Sequence, residues 1–572
     1  MNTKKLSVLS LLESYKGWVK NGDIQFLKKA VDKNSVLIDV DELIGVFSTA
    51  NRELMQYRGN TSGSSTEKSL SDFLDWHTIH QCGTDLWQKL ASKALNFIQR
   101  GSKGNSTLFE FLKEATRFED LLYGLEPFYR DHTLHSIWVY LIGEYLLRGP
   151  LRKIYNVNNF NWYLFNDIEI DQKKYNYHDI FVRYSMRKQE ALLARVDKKK
   201  DAIWCVIALC HDLGYSLEKL NRLNERVQKV LSFYNISNHN EIGYSLDIEH
   251  QYLVSQFLEL MAMDVRMVPG QDYEELEFGD PKRCEALIKY WNNEKRGIRV
   301  KDAKKLENDI EEKVIVKCYR DDSTYWRLCR AVEKKQHGIL SAYLVYKILG
   351  LFAESSNVNP SENWGLNDEE AVENIIQGDI LFAISQHSFD FAQLYELNSL
   401  ADLLIVADEL EEFSRYGRQL QSRKYFDTTA EASIELDPPK PNPGQNIQLV
   451  ITYFADEQLK QADFYMFFKR KAEQLCKIYS LEQPQDNKSF CKIESIKMIA
   501  KRESGNETEE LYFILYEKEN KNEGFLPETK INNRKARAQK FKLKCVDDKI
   551  YFKYGGKEIS FDDWFKEYSE KR

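Results

Sequence analysis

The stretch WCVIALCHDLGY, residues 204–215, decides how this chain is read. An apolar run of helical length delivers a histidine and an aspartate, His211 and Asp212, at its end. Ile203, Trp204, Ile207 and Ala208 lie one and two turns before His211 and form an apolar stripe beneath it. Polar groups placed there need partners, because burial without compensation costs roughly 2–7 kcal/mol. Adjacent residues on a helix point about 100° apart. Both therefore grip one ion only if it sits over that helix face, unless the carboxylate bridges two ions.

The same layout recurs outward along the chain. His135 lies in DHTLHSIWVYLIG, His337 in KKQHGILSAYLVYKIL, His387 in FAISQHSFDF and Asp408 in LLIVADELEEF. Trp138, Val139 and Ile142 continue the His135 face at helical spacing, while Leu404 and Ile405 precede Asp408 by one turn. Ligand-type side chains in separate apolar segments point to a shared metal. The nitrogen and oxygen donors, without thiolates, suit one or two divalent ions drawn from Mn²⁺, Mg²⁺, Fe²⁺, Co²⁺, Ni²⁺ or Zn²⁺. Such a centre with open positions acidifies water and polarises a phosphoryl oxygen.

The bulk numbers bound the alternatives. With 572 residues, 43% hydrophobic and 30% charged, the chain has the make-up of a globular protein of several domains. Its nine cysteines are scattered without a CxxC pair and read as reduced thiols, so a cytoplasmic location is expected. The N-terminal stretch is interrupted by Glu13 and Lys16 and does not read as a signal peptide. No apolar run approaches the ~18 residues of a membrane span. A net charge of −7 argues against binding long nucleic acid.

A mainly α, multi-domain fold is predicted. Residues 1–115 form an N-terminal helical region, and 116–435 form an all-α helical core that holds every candidate ligand. Polar insertions at 155–200 and 265–330 interrupt this core. The proline-rich DPPKPNPGQN, 437–446, can continue neither a helix nor a central strand. Beyond it, 446–572 turns to period two and reads as an α+β domain, with a ferredoxin-like arrangement as the candidate. IQLVITYF, CKIESIKMIAKR, ELYFILYEK, KFKLKCV and KIYFKYGG are the expected strands, DEQLKQADFYMFFKRKAEQLCKIY the helix, and VDDK a hairpin turn.

The order His135, His211-Asp212, Asp408 resembles the H…HD…D signature of the HD-domain metal-dependent phosphohydrolases. HSIWVYLIG is similar to that family's HS-plus-apolar helix, CHDLGY to its HD helix and VADELEEF to its closing aspartate, over roughly residues 120–425. The resemblance implies an HD-domain core in which His135, His211, Asp212 and Asp408 hold a first ion. HGILSAYLV and ISQHS resemble the segments that hold a second ion in some members. Asp212 would then bridge, with His337 and His387 completing the second site. In EHQ, His250 resembles the histidine that deoxynucleotide triphosphohydrolases of the superfamily use as an acid or triphosphate contact, which makes Asp212 and His250 the implied catalytic residues. His132, Asp131 and Arg130 are weaker candidates for phosphate contacts. The chain departs from that subfamily in having YSLEKL after HD, and from the cyclic-dinucleotide phosphodiesterases in having Tyr215 where a lysine is expected.

The resemblance therefore implies a phosphohydrolase acting on a nucleotide, with a deoxynucleoside triphosphate as one candidate substrate. A cyclic or oligonucleotide phosphodiesterase or nuclease, and a non-catalytic nucleotide sensor, are the alternatives. Homo-oligomerisation is expected by analogy with paired HD proteins, and a role in antiviral defence by fold-level analogy alone.

Overall fold

A computed structural model of the chain describes residues 6–60, 70, 73–98, 105–122, 131–152, 167–170, 173–176, 196–236, 248–269, 314–320, 322–349, 368–388, 394, 397, 399–412, 431–437 and 445–455; beyond these it describes seven positions between 464 and 475, strands between 491 and 560, and residue 563. The described chain is mainly helical up to residue 412 and mainly strand after it.

The N-terminal helices are α1 (Val8–Asn21), α2 (Ala30–Asn60), α3 (Trp76–Ile98) and α4 (Asn105–Leu122). Ser7 and Ser10 form a reciprocal capping box that starts α1, and Gly22, at φ 78°, ends it in the left-handed region where a side chain is disfavoured. α5 (His132–Arg148) follows, with Asp131 as its N-cap.

α6 (Lys200–Cys210) is the centre of the helical body. All its residues except Asp201 are buried, as expected of a helix that is apolar on every side. α3, α5 and a later helix over Asp368–Gln386 surround it. Trp87 of α3 donates its indole N–H to the Leu209 carbonyl at 3.1 Å, and Trp204 of α6 donates to the Tyr140 carbonyl of α5 at 3.1 Å. The Trp204 ring lies so close to Gly143 that a Cβ there would come within 1.9 Å of it. α5 and α6 thus meet at a contact that excludes any larger residue.

The remaining helices are α7 (Tyr215–Glu218), α8 (Leu220–Ser232), α9 (Ile248–Met261), α10 (Asp322–Glu333), α11 (His337–Leu349), α12 (Asp368–Gln386) and α13 (Leu400–Leu410). α11 packs on α7 and α12, while α13 packs on α5 and α12. A hairpin of β1 (Asp167–Ile170) and β2 (Lys173–Asn176) lies in the first insertion. β3 (Met263–Pro269) pairs antiparallel with β4 (Val314–Arg320) across the second. No helix among the described residues is long and apolar enough to cross a membrane.

Towards the C-terminus come β5 (Glu431–Asp437), β6 (Gln445–Ala455), β7 (Cys491–Ser504), β8 (Glu507–Tyr516) and β9 (Glu523–Phe525). The short strands β10 (Lys530–Ile531), β11 (Arg534–Lys535) and β12 (Lys540–Phe541) follow. Six of them form one sheet in the order β12-β9-β8-β7-β6-β5, in which only β6 and β7 are parallel. A parallel pair needs a crossover, and buried Phe464, Phe467, Phe468, Lys471, Ala472 and Leu475 supply one helical face at three- and four-residue spacing. From β5 to β9 neighbouring strands follow chain order, with β12 added beside β9, which departs from the two βαβ units of a ferredoxin-like sheet. β5 also lies before the proline-rich stretch, and Leu6 bridges to its Ala432, so the sheet draws on residues on both sides of the predicted boundary. β13 (Leu543–Val546), β14 (Lys549–Tyr554) and β15 (Lys557–Ser560) make a separate meander, with Val546 opposite Lys549 flanking the expected turn.

Candidate metal centre

All six sequence-predicted ligands come together, and they do so at helix ends rather than within helices. His135 is in the first turn of α5, and His337 is the first residue of α11. His211 is the C-cap of α6, His387 follows the end of α12, and Asp408 is in the last turn of α13. Asp212 lies in the turn after His211. The expectation that His211 and Asp212 sit on a helix is therefore corrected: α6 stops at Cys210, and both residues lie in the turn that follows.

The distances divide the cluster at Asp212. Its Oδ2 lies 3.5 Å from Nε2 of both His135 and His211. Its Oδ1 lies 3.4 Å from His337 Nε2 and 3.5 Å from His387 Nε2. Within each pair the two Nε2 atoms are 3.2 Å apart. Asp408 Oδ1 adds a donor 2.9 Å from His135 Nε2. Two compact donor groups, His135/His211/Asp408 and His211/Asp212/His387, have ligand atoms within 4.8 Å of one another, and they share His211, so the two halves adjoin there as well as at Asp212.

Each imidazole is held from behind. His211 Nδ1 donates to the Ala208 carbonyl at 2.8 Å, and His387 Nδ1 donates to the Ile384 carbonyl at 2.5 Å. Both acceptors are carbonyls of a last helical turn, which have no partner within their own helix. Glu411 Oε2 accepts from His135 Nδ1 at 2.6 Å, and Glu218 Oε2 accepts from His337 Nδ1 at 2.6 Å. Carbonyl and carboxylate oxygens only accept, so each Nδ1 carries a proton, and in the neutral ring each Nε2 presents a lone pair inward. Histidines oriented by such an outer hydrogen bond are a recurrent feature of metal sites.

This donor set fits divalent cations. Lone pairs 3.2 Å apart repel one another unless a positive charge lies between them. Ligands bonded at ~2.1 Å and roughly 90–110° apart would themselves be separated by about 3.0–3.4 Å, close to the spacing found. Burial pushes the His211 imidazolium down to about 3, so the ring is neutral and free to ligate. Burial works against the Asp212 carboxylate, yet the surrounding rings, His211 first among them, hold it well below the usual carboxylate range. For His337 burial also opposes charge, but the Glu218 hydrogen bond and Asp212 outweigh it and raise the ring's pKa.

No family model, curated protein or solved structure matches this chain.

A cleft opens beside the centre, lined by Trp87, Thr116, His132, Thr133, Ser136 and Asp212 among others. His132 packs against Tyr215, with ring centroids 3.8 Å apart and planes tilted by 38°, and lies 4.0 Å from Asp212 Oδ2. Asp131 caps α5 and pairs with His80 at 3.1 Å instead of facing the centre. His250 is on α9, but its side chain, like all of Arg130, lies outside the described residues. Sequence reasoning missed Glu411 and Glu218. Glu411 had no usable signal, because it stands beside Glu409 and Glu412 in the acidic run 408–412. Glu218, in YSLEKL, had none either.

Proposed function

We propose that this chain is a metal-dependent phosphohydrolase of the HD type that acts on a nucleotide. The observation that carries the reading is the split of Asp212, one carboxylate oxygen towards each histidine pair. His135, His211, Asp408 and Asp212 Oδ2 would hold one ion; His337, His387 and Asp212 Oδ1 would hold the other. Bound there, divalent ions supply Lewis-acid stabilisation of a phosphoryl oxygen and a source of acidified water.

The chain's own residues do the rest. Glu411 and Glu218 keep a proton on the outer nitrogens of His135 and His337, so the inner nitrogens stay basic. His132 stands at the cleft wall beside Asp212, where a substrate's phosphate would approach. Thr116, Thr133 and Ser136 set polar groups among the apolar lining of that cleft. A deoxynucleoside triphosphate falls within this class. The acidic balance of the chain disfavours long nucleic acids as substrates. In this reading residues 116–435 are an HD core with the β-rich region appended, and the protein works in the cytoplasm, with self-association as a further proposal.

The test is incubation with a panel of nucleotides and Mn²⁺, Mg²⁺ or Co²⁺, with products separated by chromatography beside Asp212→Asn. Loss of one nucleotide class in the wild type alone supports the reading, and the product identifies the bond broken. Stoichiometric nucleotide binding without turnover under any metal would instead favour a sensor.

A further inference from the structure

Lys471 is fully buried, belongs to the helical face between β6 and β7, and reaches out of the β-rich region into the metal-bearing one. Its ammonium donates to the Glu409 carbonyl at 2.8 Å, lies 3.4 Å from Glu409 Oε2 and pairs closely with the buried Glu412 carboxylate. It also stands 5.4 Å from the Tyr453 ring centre, and the Tyr453 hydroxyl donates to the same Glu409 carbonyl at 2.8 Å. The target of these contacts is the C-terminal end of α13. That end carries Asp408, and Glu411 follows it one residue beyond the helix. The Glu409 carbonyl is one of the last-turn acceptors that a helix cannot satisfy itself, and a cation is the favoured group at that terminus.

We infer that Lys471, with Tyr453, is a positioning residue for the first ion site. It fixes the segment 408–412 so that Asp408 faces the centre and Glu411 meets His135. The inference rests on the metal reading above. It assigns the C-terminal region a task at the centre: its side chains set the orientation of two groups that define that site.

The test reads cobalt binding, not turnover. A His337→Ala background isolates the ion at His135, His211 and Asp408, and Co²⁺ is titrated while its visible absorption is followed. Lys471→Met is expected to weaken cobalt binding about 10–100-fold, the usual cost of losing an outer partner, and to alter the band shape. Lys471→Arg, which keeps the charge, should recover most of the affinity. Tyr453→Phe should show a smaller loss of the same kind, and it decides the matter with Lys471→Arg if Lys471→Met does not fold. Unchanged affinity and spectrum in folded variants would overturn the inference. So would an equal loss in Lys471→Arg and Lys471→Met, which would make the role one of shape. If the parent protein binds no cobalt, the metal reading falls and this inference with it; equal binding by parent and variants overturns the inference alone.

Discussion

Glu411 accepts a hydrogen bond from His135 Nδ1 at 2.6 Å, with both side chains fully buried and the two residues 276 positions apart in the chain. The counterpart on the other side of Asp212 is Glu218 with His337, also at 2.6 Å, across 119 positions. Each histidine pair therefore contains one ring braced by a carboxylate and one braced by a helix-end carbonyl. This symmetry makes the two halves of the centre separately addressable.

Glu411→Gln is expected to weaken the ion held by His135 by about 10–100-fold and to spare the other, with Glu218→Gln doing the reverse. Calorimetric titration with Mn²⁺ or Co²⁺ checks this. Equal losses at both ions in either variant would show one indivisible centre.

Asp212→Asn keeps the side-chain volume and removes the shared charge. Both ions should be lost while the far-ultraviolet circular dichroism stays that of the parent. Metal analysis after dialysis against Mn²⁺ gives the stoichiometry, and a variant retaining two ions would sink the bridging assignment.

Gly214 lies where the turn after Asp212 meets the start of α11. A Cβ there would come within 2.5 Å of the His337 carbonyl and 2.7 Å of Leu340 Cβ and the Ser341 nitrogen. The Gly214 N–H also donates to Ser341 Oγ at 2.7 Å. Gly214→Ala must push α11 away, at a cost of roughly 1–3 kcal/mol. Urea unfolding should show that loss, together with a weaker second ion. A parent-like midpoint would contradict the close approach.

Glu144 supplies a pH signature remote from the ligands. Its Oε2 accepts from Arg148 at 2.9 Å, while Oε1 is buried without a hydrogen-bond partner among the described residues. Burial pushes its carboxyl from 4.5 up to about 8, against the pull of Arg148. The folded chain thus keeps a proton that the unfolded chain has released. The stabilisation from this group is complete below 4.5 and is lost as pH rises through about 8. Urea midpoints at pH 5, 6, 7 and 8 should decline in the wild type, and Glu144→Gln should flatten the decline. Parallel profiles would refute the assignment.

Much of the centre was legible in the sequence because a polar ligand inside an apolar helical segment stands out. His135, His211, Asp408 and their neighbours follow that rule, and the structure brings them together. Periodicity could not show that the ligands sit at helix ends, since the end of α6 at Cys210 has no glycine or proline to mark it. The bracing carboxylates were hidden for a related reason: Glu411, in the acidic run 408–412, looks like a solvated face until the fold buries it. β5 escaped because EASIELD has three consecutive buried residues, Ala432, Ser433 and Ile434, where a half-buried strand would alternate. The sheet order was equally out of reach, since pairing partners depend on contacts between distant segments and not on local pattern.

The spacing between His135 and Glu411 also bears on how the protein is made. A nascent chain made only through Asp212 holds His135, His211 and Asp212 but lacks His337, His387, Asp408 and Glu411. A product of interrupted synthesis that stops between residues 388 and 407 holds the donors of the second site but lacks Asp408 and Glu411, so the first donor set stays incomplete. If hydrolysis needs both ions, a cell translating this message meets no active fragments on the way. Occupancy of the first site would then mark a polypeptide finished at least as far as α13.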